Sequence, residues 1–217
     1  LGCVKENDFA MILGYPGRTN RWMPASGIEQ NVKFAYPAWV EGAKTGMDYM
    51  KKYMDQSDAL RLVYASKYAS TANYWKNRQG MIDALTKFGT AKSKATQEAK
   101  FDKWANQPAN QAKYGNVITS INKYYTLTNE KSSHDNYVQQ LFRTTAFATI
   151  NRSLGRQLDL YVKADATKRA TLAPQIMEMA EDMFKDLYIP AEKDLLAAQL
   201  KVYATKSTGY AIATMVK

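Results

Sequence analysis

The chain has 217 residues, a formal net charge of +10 and 46% hydrophobic residues, which is enough apolar content for a packed core. It contains 11 glycines and 6 prolines. An all-β protein of this length needs more turn residues, so helix is the expected class. One cysteine, Cys3, and one histidine, His134, exclude an internal disulfide, a cysteine-based metal site and a histidine cluster.

The distribution of apolar and charged residues limits the possible partners. The apolar runs, such as Phe9 to Leu13, are far shorter than the roughly 20 residues of a membrane-spanning helix, so no span is expected. No basic region followed by an apolar run occurs near Leu1, so we expect that a secretion signal is absent or already removed. Basic residues alternate with acidic ones, as in Glu178 to Lys185, and this favours a solvated basic surface over nucleic-acid binding.

The first 30 residues have a strand-like pattern. Asp8 to Leu13 is a short apolar run that stops at Gly14 to Gly17, where Pro16 and Gly17 suit the centre of a type II turn. A single strand needs neighbouring strands to satisfy its backbone groups, and residues 1–30 offer few candidates. We therefore predict that residues 1–30 are a strand and turn left from a β-domain, and that residues 31–217 form an α-helical domain.

Helical periodicity dominates after Pro37. Apolar residues at spacings of three and four predict a first amphipathic helix that ends near Asp55, and Asp58 is the predicted cap of a long second helix that reaches about Phe88. The stripe of the first helix consists of Trp39, Ala43, Met47, Met50 and Met54. The inner face of the second consists of Leu60, Tyr64, Tyr68, Thr71, Trp75, Arg78, Ile82 and Leu85.

The remainder of the sequence predicts further helices, so that the whole chain is expected to have about seven. Residues 91–105 and 111–127 are expected to form two of them, and a capping-box pattern at Ser132 predicts the start of another that reaches Tyr161. Pro174 and Pro190 each suit the first turn of a helix. The last residues, 211–217, are apolar and have no stop signal, so both ends of the chain are expected to be cut from a longer protein.

The residues that could carry out catalysis do not form a recognisable set. His134 is the single candidate base, and its position in a predicted first helical turn favours an exposed residue next to the cap. The carboxylates of Glu178, Glu181 and Asp182 lie close together on one predicted helix, and such groups of acidic residues are common on surface helices. We predict no catalytic residue, no metal site and no cofactor in this chain.

One face of the second helix has an unusual composition. Small polar residues recur there at spacings of three and four, on the side opposite the apolar stripe, whereas a solvated face usually carries Lys, Glu or Gln. Two interpretations remain open, which are contact with a ligand and polar packing between helices. The residues of this polar face are Ser66, Ser70, Asn73, Asn77 and Gly80.

Two segments resemble the S46 peptidases, the dipeptidyl peptidase 7 and 11 family of bacterial serine peptidases. The first is Asp8-Phe-Ala-Met-Ile-Leu-Gly-Tyr-Pro-Gly-Arg-Thr-Asn-Arg21, and the second is Tyr68-Ala-Ser-Thr-Ala-Asn-Tyr-Trp-Lys-Asn77. The resemblance implies a chymotrypsin-like double β-barrel with an inserted helical domain that caps the substrate cleft. This chain would be the end of the first barrel and much of the helical domain, with Arg18 and Arg21 in structural roles.

The resemblance also implies a function. Members of this family release dipeptides from peptides with a free amino terminus, are periplasmic or secreted, and are expected to be homodimers. Their helical domain supplies an asparagine that binds the α-amino group, and Asn73 is the candidate here. The catalytic serine, histidine and aspartate would lie outside this chain, so the fragment itself would be inactive.

Two other functions remain as alternatives. The first is a free-standing helical scaffold or interaction domain, and the second is a basic nucleic-acid-binding domain. A β-barrel with His and Asp upstream, and one with Ser downstream, in the parent reading frame would favour the peptidase. A natural start and stop around these 217 residues would favour the scaffold.

Overall fold

The computed structural model describes residues 5–11, 13, 20–185 and 187–207. Within these ranges the protein is mainly α-helical, as predicted, and the helices pack as a bundle. Nine α-helices and one π-helical segment are present there: α1 Ala25–Gln30, the π-helical segment Asn31–Ala35, α2 Tyr36–Met54, α3 Asp58–Lys87, α4 Thr90–Ala105, α5 Pro108–Tyr114, α6 Val117–Thr144, α7 Ala146–Lys163, α8 Ala166–Lys185 and α9 Ile189–Lys206.

The predicted amino-terminal strand is not formed by the residues of it that can be described. Residues 8–11 and 13 have no regular structure, and the described ranges contain no strand that could pair with them. An isolated strand has no partner for its backbone N–H and C=O groups. Residues 8–11 and 13 therefore lack the hydrogen bonds from a neighbouring strand that would stabilise a strand here. Ile12, the predicted turn at residues 14–17, Cys3 and residues 211–217 lie outside the described residues.

Helical structure begins at Ala25, before the predicted domain boundary at residue 31. The chain then continues through the π-helical segment into α2 without a break. Pro37 explains the wider turn, because proline lacks the backbone N–H that an α-helix needs at this point. The N–H of Tyr36 instead donates to the carbonyl of Asn31, five residues earlier.

Helix α2 lies at the centre of the bundle and contacts α3, α6 and α9. Its predicted apolar stripe is confirmed, with Trp39, Ala43 and Met50 buried and Met47 and Met54 half-buried. One core cluster joins α2, α3 and α9 and consists of Met50, Tyr53, Tyr64, Ala191 and Leu195. A second joins α2, α6 and α9 and consists of Ala38, Tyr137 and Tyr203.

Two glycines of α2 allow α6 to approach closely. A Cβ atom at Gly42 would lie 2.7 Å from Cβ of Gln140, and one at Gly46 would lie 2.7 Å from Cγ2 of Thr144. These distances are shorter than van der Waals contact, and the atoms concerned lie near the α6 backbone, where they cannot move freely. The α2–α6 interface therefore depends on the absence of a side chain at both positions.

We expect Gly46→Ala to lower the free energy of unfolding by about 1–3 kcal/mol, because the added methyl group overpacks the interface with α6. Gly80→Ala is the matched control, since no atom lies within 4 Å of the corresponding Cβ position in α3. It should raise stability by roughly 0.5–1 kcal/mol through the better helix propensity of alanine. Urea unfolding of both variants measures the difference, and equal effects would contradict this account of the interface.

The carboxylate of Asp194 links α9 to the end of α2. It accepts hydrogen bonds of 2.7 Å from Nζ of Lys52 and 2.7 Å from the hydroxyl of Tyr53. The bonds from Lys52 and Tyr53, in that order, lower the pKa of Asp194 below its usual value. The ionised carboxylate is therefore the form that stabilises the fold.

This lowered pKa predicts how stability depends on pH. The contribution of Asp194 should be complete above the unfolded pKa of about 3.9 and should be lost as the pH falls through the lower folded pKa. We expect Asp194→Asn to unfold at a lower temperature than wild type at pH 7, with a difference that shrinks below about pH 4. Thermal unfolding at several pH values tests this, and a difference that does not change with pH would contradict it.

Several predicted helix ends are wrong. Ser57, rather than Asp58, caps α3, because its hydroxyl oxygen accepts a 3.2 Å hydrogen bond from the N–H of Leu60. Ser132 lies inside α6, and Pro174 lies inside α8, so neither begins a helix. In both cases the helix continues through a local start signal. Pro190 does occupy the first turn of α9, as predicted.

The break between α6 and α7 falls at Thr145, inside what the sequence predicted as one helix. The side chain of Thr145 does not cap α7, because its hydroxyl donates back to the carbonyl of Leu141. Glu192 of α9 supplies the cap instead: its carboxylate accepts a 2.7 Å hydrogen bond from the N–H of Ala146 and a 3.2 Å bond from the hydroxyl of Tyr64. This carboxylate is buried and joins α3, α7 and α9.

Candidate functional site

The two faces of α3 differ as the sequence predicts. Tyr64 and Thr71 are buried against the bundle, and the other members of the inner face are half-buried. The five residues of the polar face are all exposed. Burial between helices of the described chain therefore does not account for the composition of this face, and its surface is accessible to a partner or ligand.

The middle of the polar face is held in place by aromatic and cation–π contacts. The Tyr74 ring lies 6.3 Å from the ring of Trp39 in α2. The guanidinium of Arg143, in the last turn of α6, lies 4.4 Å from the centre of the Tyr74 ring. Its Nη2 atom also lies 3.4 Å from Oγ of Ser70. These contacts between α2, α3 and α6 therefore hold the α3 backbone in place around Asn73.

Asn73 is exposed at this point, and its amide makes no side-chain hydrogen bond within the described residues. The amide oxygen can accept a hydrogen bond and the amide nitrogen can donate two. A ligand ammonium group has three N–H donors, which match the amide oxygen. Asn77 lies one turn further along the same exposed face, so a peptide could contact both residues.

The environment of His134 differs from the sequence prediction. His134 lies inside α6 and is half-buried, rather than exposed in the first turn of a helix. Its Nδ1 atom is 2.7 Å from Oγ of Ser207, and its ring packs 5.4 Å from that of Tyr203. Ser207 is only 6% exposed, so its hydroxyl is closed off from a substrate. This Ser–His pair connects α6 to the end of α9.

The other candidate groups are placed as surface residues. Glu178, Glu181 and Asp182 are exposed on α8. Among the described residues, no group of three or more His, Cys, Asp or Glu side chains could hold a metal ion. None of the described helices is both long and apolar enough to cross a bilayer.

Two features near the polar face were not expected from the sequence. Arg143 of α6 contacts Ser70 of α3, which lies 73 residues earlier in the chain, and no local pattern indicates such a contact. Arg21 and Arg78 line a cavity next to Asn77, although the sequence interpretation placed Arg21 in a structural role and Arg78 on the packing face. Arg18 lies outside the described residues.

Comparisons with known proteins identify the family of this chain. The model of the peptidase S46 family matches residues 1–217. Dipeptidyl-peptidase 7 of Capnocytophaga gingivalis is 48% identical over 206 residues, which are 94% of this chain and 29% of that protein. An Asp/Glu-specific dipeptidyl-peptidase of Flavobacterium psychrophilum is 27% identical over 205 residues, again 94% of this chain and 29% of that protein.

A solved structure shares the fold. The crystal structure of Porphyromonas endodontalis DPP11 in complex with the dipeptide Arg-Glu matches 89% of this chain and 28% of that chain, with a TM-score of 0.73 and 23% identity. The chain thus spans less than a third of the length of these relatives. The family model matches the whole sequence, and a dipeptidyl-peptidase 7 is 48% identical to the chain. This chain therefore belongs to peptidase family S46.

Proposed function

We propose that this chain is the helical cap of a secreted or periplasmic serine dipeptidyl peptidase, and that it recognises the free α-amino group of peptide substrates. The observation that carries the proposal is Asn73, an exposed asparagine with an unused amide on a helix face made of small polar residues. The names of the relatives support the reaction class, since they are dipeptidyl-peptidases. The catalytic serine, histidine and aspartate belong to the remainder of the enzyme.

The physical basis of the proposal is the position of Asn73 on a rigid support. The amide oxygen of Asn73 accepts a charge-assisted hydrogen bond from the substrate ammonium, which fixes the peptide relative to the catalytic centre. The exposed face gives the peptide access, and small side chains such as Ser70 allow its backbone to approach. A peptide without a free amino group loses this bond and is not positioned for cleavage after its second residue.

A comparison of two peptides tests the proposed function in the complete enzyme. One peptide has a free amino terminus, and the other has the same sequence with an acetylated amino terminus. We expect release of the amino-terminal dipeptide from the free peptide, identified by mass spectrometry, and at least 100-fold slower cleavage of the acetylated peptide. Equal cleavage of the two, or cleavage at internal bonds, would contradict an exopeptidase that recognises the amino group.

The proposal extends to location and assembly. The complete enzyme is exported, acts on peptides outside the cytoplasm and forms a homodimer. Cell fractionation and light scattering of the purified enzyme test these two points. Activity confined to the cytoplasmic fraction would contradict export, and a monomeric mass would contradict the dimer.

A further inference from the structure

A cavity of about 430 Å³ lies beside the polar face, at the end of α3 that follows Asn73. Asn77 belongs to both the polar face and the cavity wall. The cavity lies between the segment at residues 20–23, α1 with the π-helical segment, α3 and the start of α4. Its lining residues are Asn20, Arg21, Met23, Ile28, Asn31, Tyr36, Asn77, Arg78, Met81, Leu85, Thr90 and Lys94.

The charges in this cavity are of one sign. Arg21, Arg78 and Lys94 line it, and the lining contains no aspartate or glutamate. None of the three takes part in a salt bridge among the residues that the structure describes, although eight such bridges occur elsewhere there. Unneutralised basic groups in a concave site concentrate the positive potential, so the cavity favours an anion.

Two of the three cations are held in fixed positions. The guanidinium of Arg78 lies 4.7 Å from the centre of the Tyr36 ring, which forms part of the wall. The Nζ atom of Lys94 donates a 2.9 Å hydrogen bond to the backbone carbonyl of Arg21. The N–H groups of Arg78 make no hydrogen bond within the described part of the chain, so its planar donor fork is free for a carboxylate.

The start of α4 adds to this positive potential. Thr90, the first residue of this 16-residue helix, lines the cavity. The preceding residue, Gly89, has no side chain to cap the helix, and the first turn contains no acidic residue. The partial positive charge of the helix end and its free N–H groups therefore remain available to an anionic ligand.

The other lining residues match a peptide side chain more closely than a bare inorganic ion. The side chains of Ile28, Met81 and Leu85 form an apolar part of the wall. The amides of Asn20, Asn31 and Asn77 provide polar groups around the cations. An acidic amino acid residue combines methylene groups with a carboxylate and would contact both parts.

We infer that this cavity, the basic pocket, binds a carboxylate of the third or fourth residue of the peptide substrate, either an Asp or Glu side chain or the terminal carboxylate. The inference rests on the proposed function of Asn73. Arg78 lies about 7.5 Å further along α3 than Asn73 at about 1.5 Å per residue, and an extended peptide advances about 3.3 Å per residue. In the proposed arrangement the peptide runs along α3 from Asn73 towards α4, so it reaches the pocket with the residues that follow the released dipeptide.

Kinetics with amidated peptides test the role of the pocket. The complete enzyme is assayed with tetrapeptide amides that differ by Gln or Glu at position three or four, and with a Gln tripeptide that has a free carboxyl end. We expect kcat/KM to be about tenfold higher for a Glu peptide than for its Gln partner, and the preference to weaken as salt is added. A preference seen only for the free tripeptide identifies the terminal carboxylate as the ligand.

Two pocket variants and one control distinguish an effect of the pocket from an effect of the net charge of the protein. Arg78→Gln and Lys94→Gln should each reduce the carboxylate preference to about threefold or less while leaving kcat/KM for the Gln amides within about twofold. Arg61→Gln, an exposed arginine in the first turn of α3, should keep the full preference. Equal rates for Glu and Gln peptides in wild type, or an unchanged preference in both pocket variants, would overturn the inference.

A binding measurement distinguishes failure of the pocket from failure of the proposed function. Titration calorimetry with the Glu and Gln tetrapeptide amides does not depend on peptide cleavage when the complete enzyme carries alanine in place of its catalytic serine. Tighter binding of the Glu peptide to this enzyme than to its Arg78→Gln variant supports the pocket even if no dipeptide is released. Equal binding of the two peptides, with normal dipeptide release by the enzyme, overturns the pocket and leaves the proposed function intact.

Discussion

Replacing Asn73 with alanine is expected to lower kcat/KM for peptides with a free amino terminus by about 10- to 100-fold. This range corresponds to the loss of one hydrogen bond to a charged group, which contributes about 1.5–3 kcal/mol. Asn73 is exposed and has no hydrogen-bonded partner among the described side chains, so the substitution should leave the fold unchanged. Steady-state kinetics of the complete enzyme with a dipeptidyl substrate provides the measurement.

Asn122→Ala is the matched control for this variant. Asn122 is also an exposed asparagine inside a long helix, α6, but it lies away from the polar face. We expect its kcat/KM to stay within about twofold of wild type and its thermal stability to match that of Asn73→Ala. If both variants had wild-type activity, Asn73 would have no role in substrate binding.

The largest expected effect on stability comes from Glu192. Its buried carboxylate accepts hydrogen bonds from the N–H of Ala146 and the hydroxyl of Tyr64. Burial lowers the pKa of the Lys67 ammonium, and the charge of Glu192 partly offsets this effect. Glu192→Ala leaves the buried hydroxyl of Tyr64 and the half-buried N–H of Ala146 without an acceptor, so we expect it to lower the free energy of unfolding by about 2–4 kcal/mol.

Thermal unfolding and hydrogen exchange measure the effect of Glu192→Ala. The midpoint should fall by roughly 5–15 °C, and the amides in the first turn of α7 should exchange faster than those of α2. Glu192→Gln should give an intermediate loss, because its amide oxygen can still accept one bond. Glu181→Ala, at an exposed position on α8, should change stability by less than about 0.5 kcal/mol. Wild-type stability of Glu192→Ala would contradict this capping role.

The parts of the fold that the sequence predicts are those governed by periodic burial. The stripe on α2 and the two faces of α3 follow from apolar spacing, and both are confirmed by which residues are buried. Helix starts that are predicted from only two or three residues are less reliable. Ser132 and Pro174 carry start signals, yet they lie inside helices whose neighbouring turns continue to pack.

Long-range contacts explain what could not be predicted. Glu192 caps a helix that begins 46 residues earlier in the chain, so no local pattern near Thr145 indicates the break between α6 and α7. Arg143 and Ser70 are likewise 73 residues apart. The polar face of α3 was visible in the sequence because its unusual composition has a helical period. The basic pocket was not visible, because its residues come from four separate segments.

The central claim is that Asn73 binds the amino group of the peptide, and a double-mutant cycle tests it most directly. The cycle combines wild type and Asn73→Ala with a dipeptidyl substrate and its des-amino analogue, in which hydrogen replaces the amino group. If Asn73 bonds to the ammonium, removal of the amine should reduce kcat/KM at least tenfold more in wild type than in the variant. If the two losses multiply independently, Asn73 does not contact the amino group and the account is wrong.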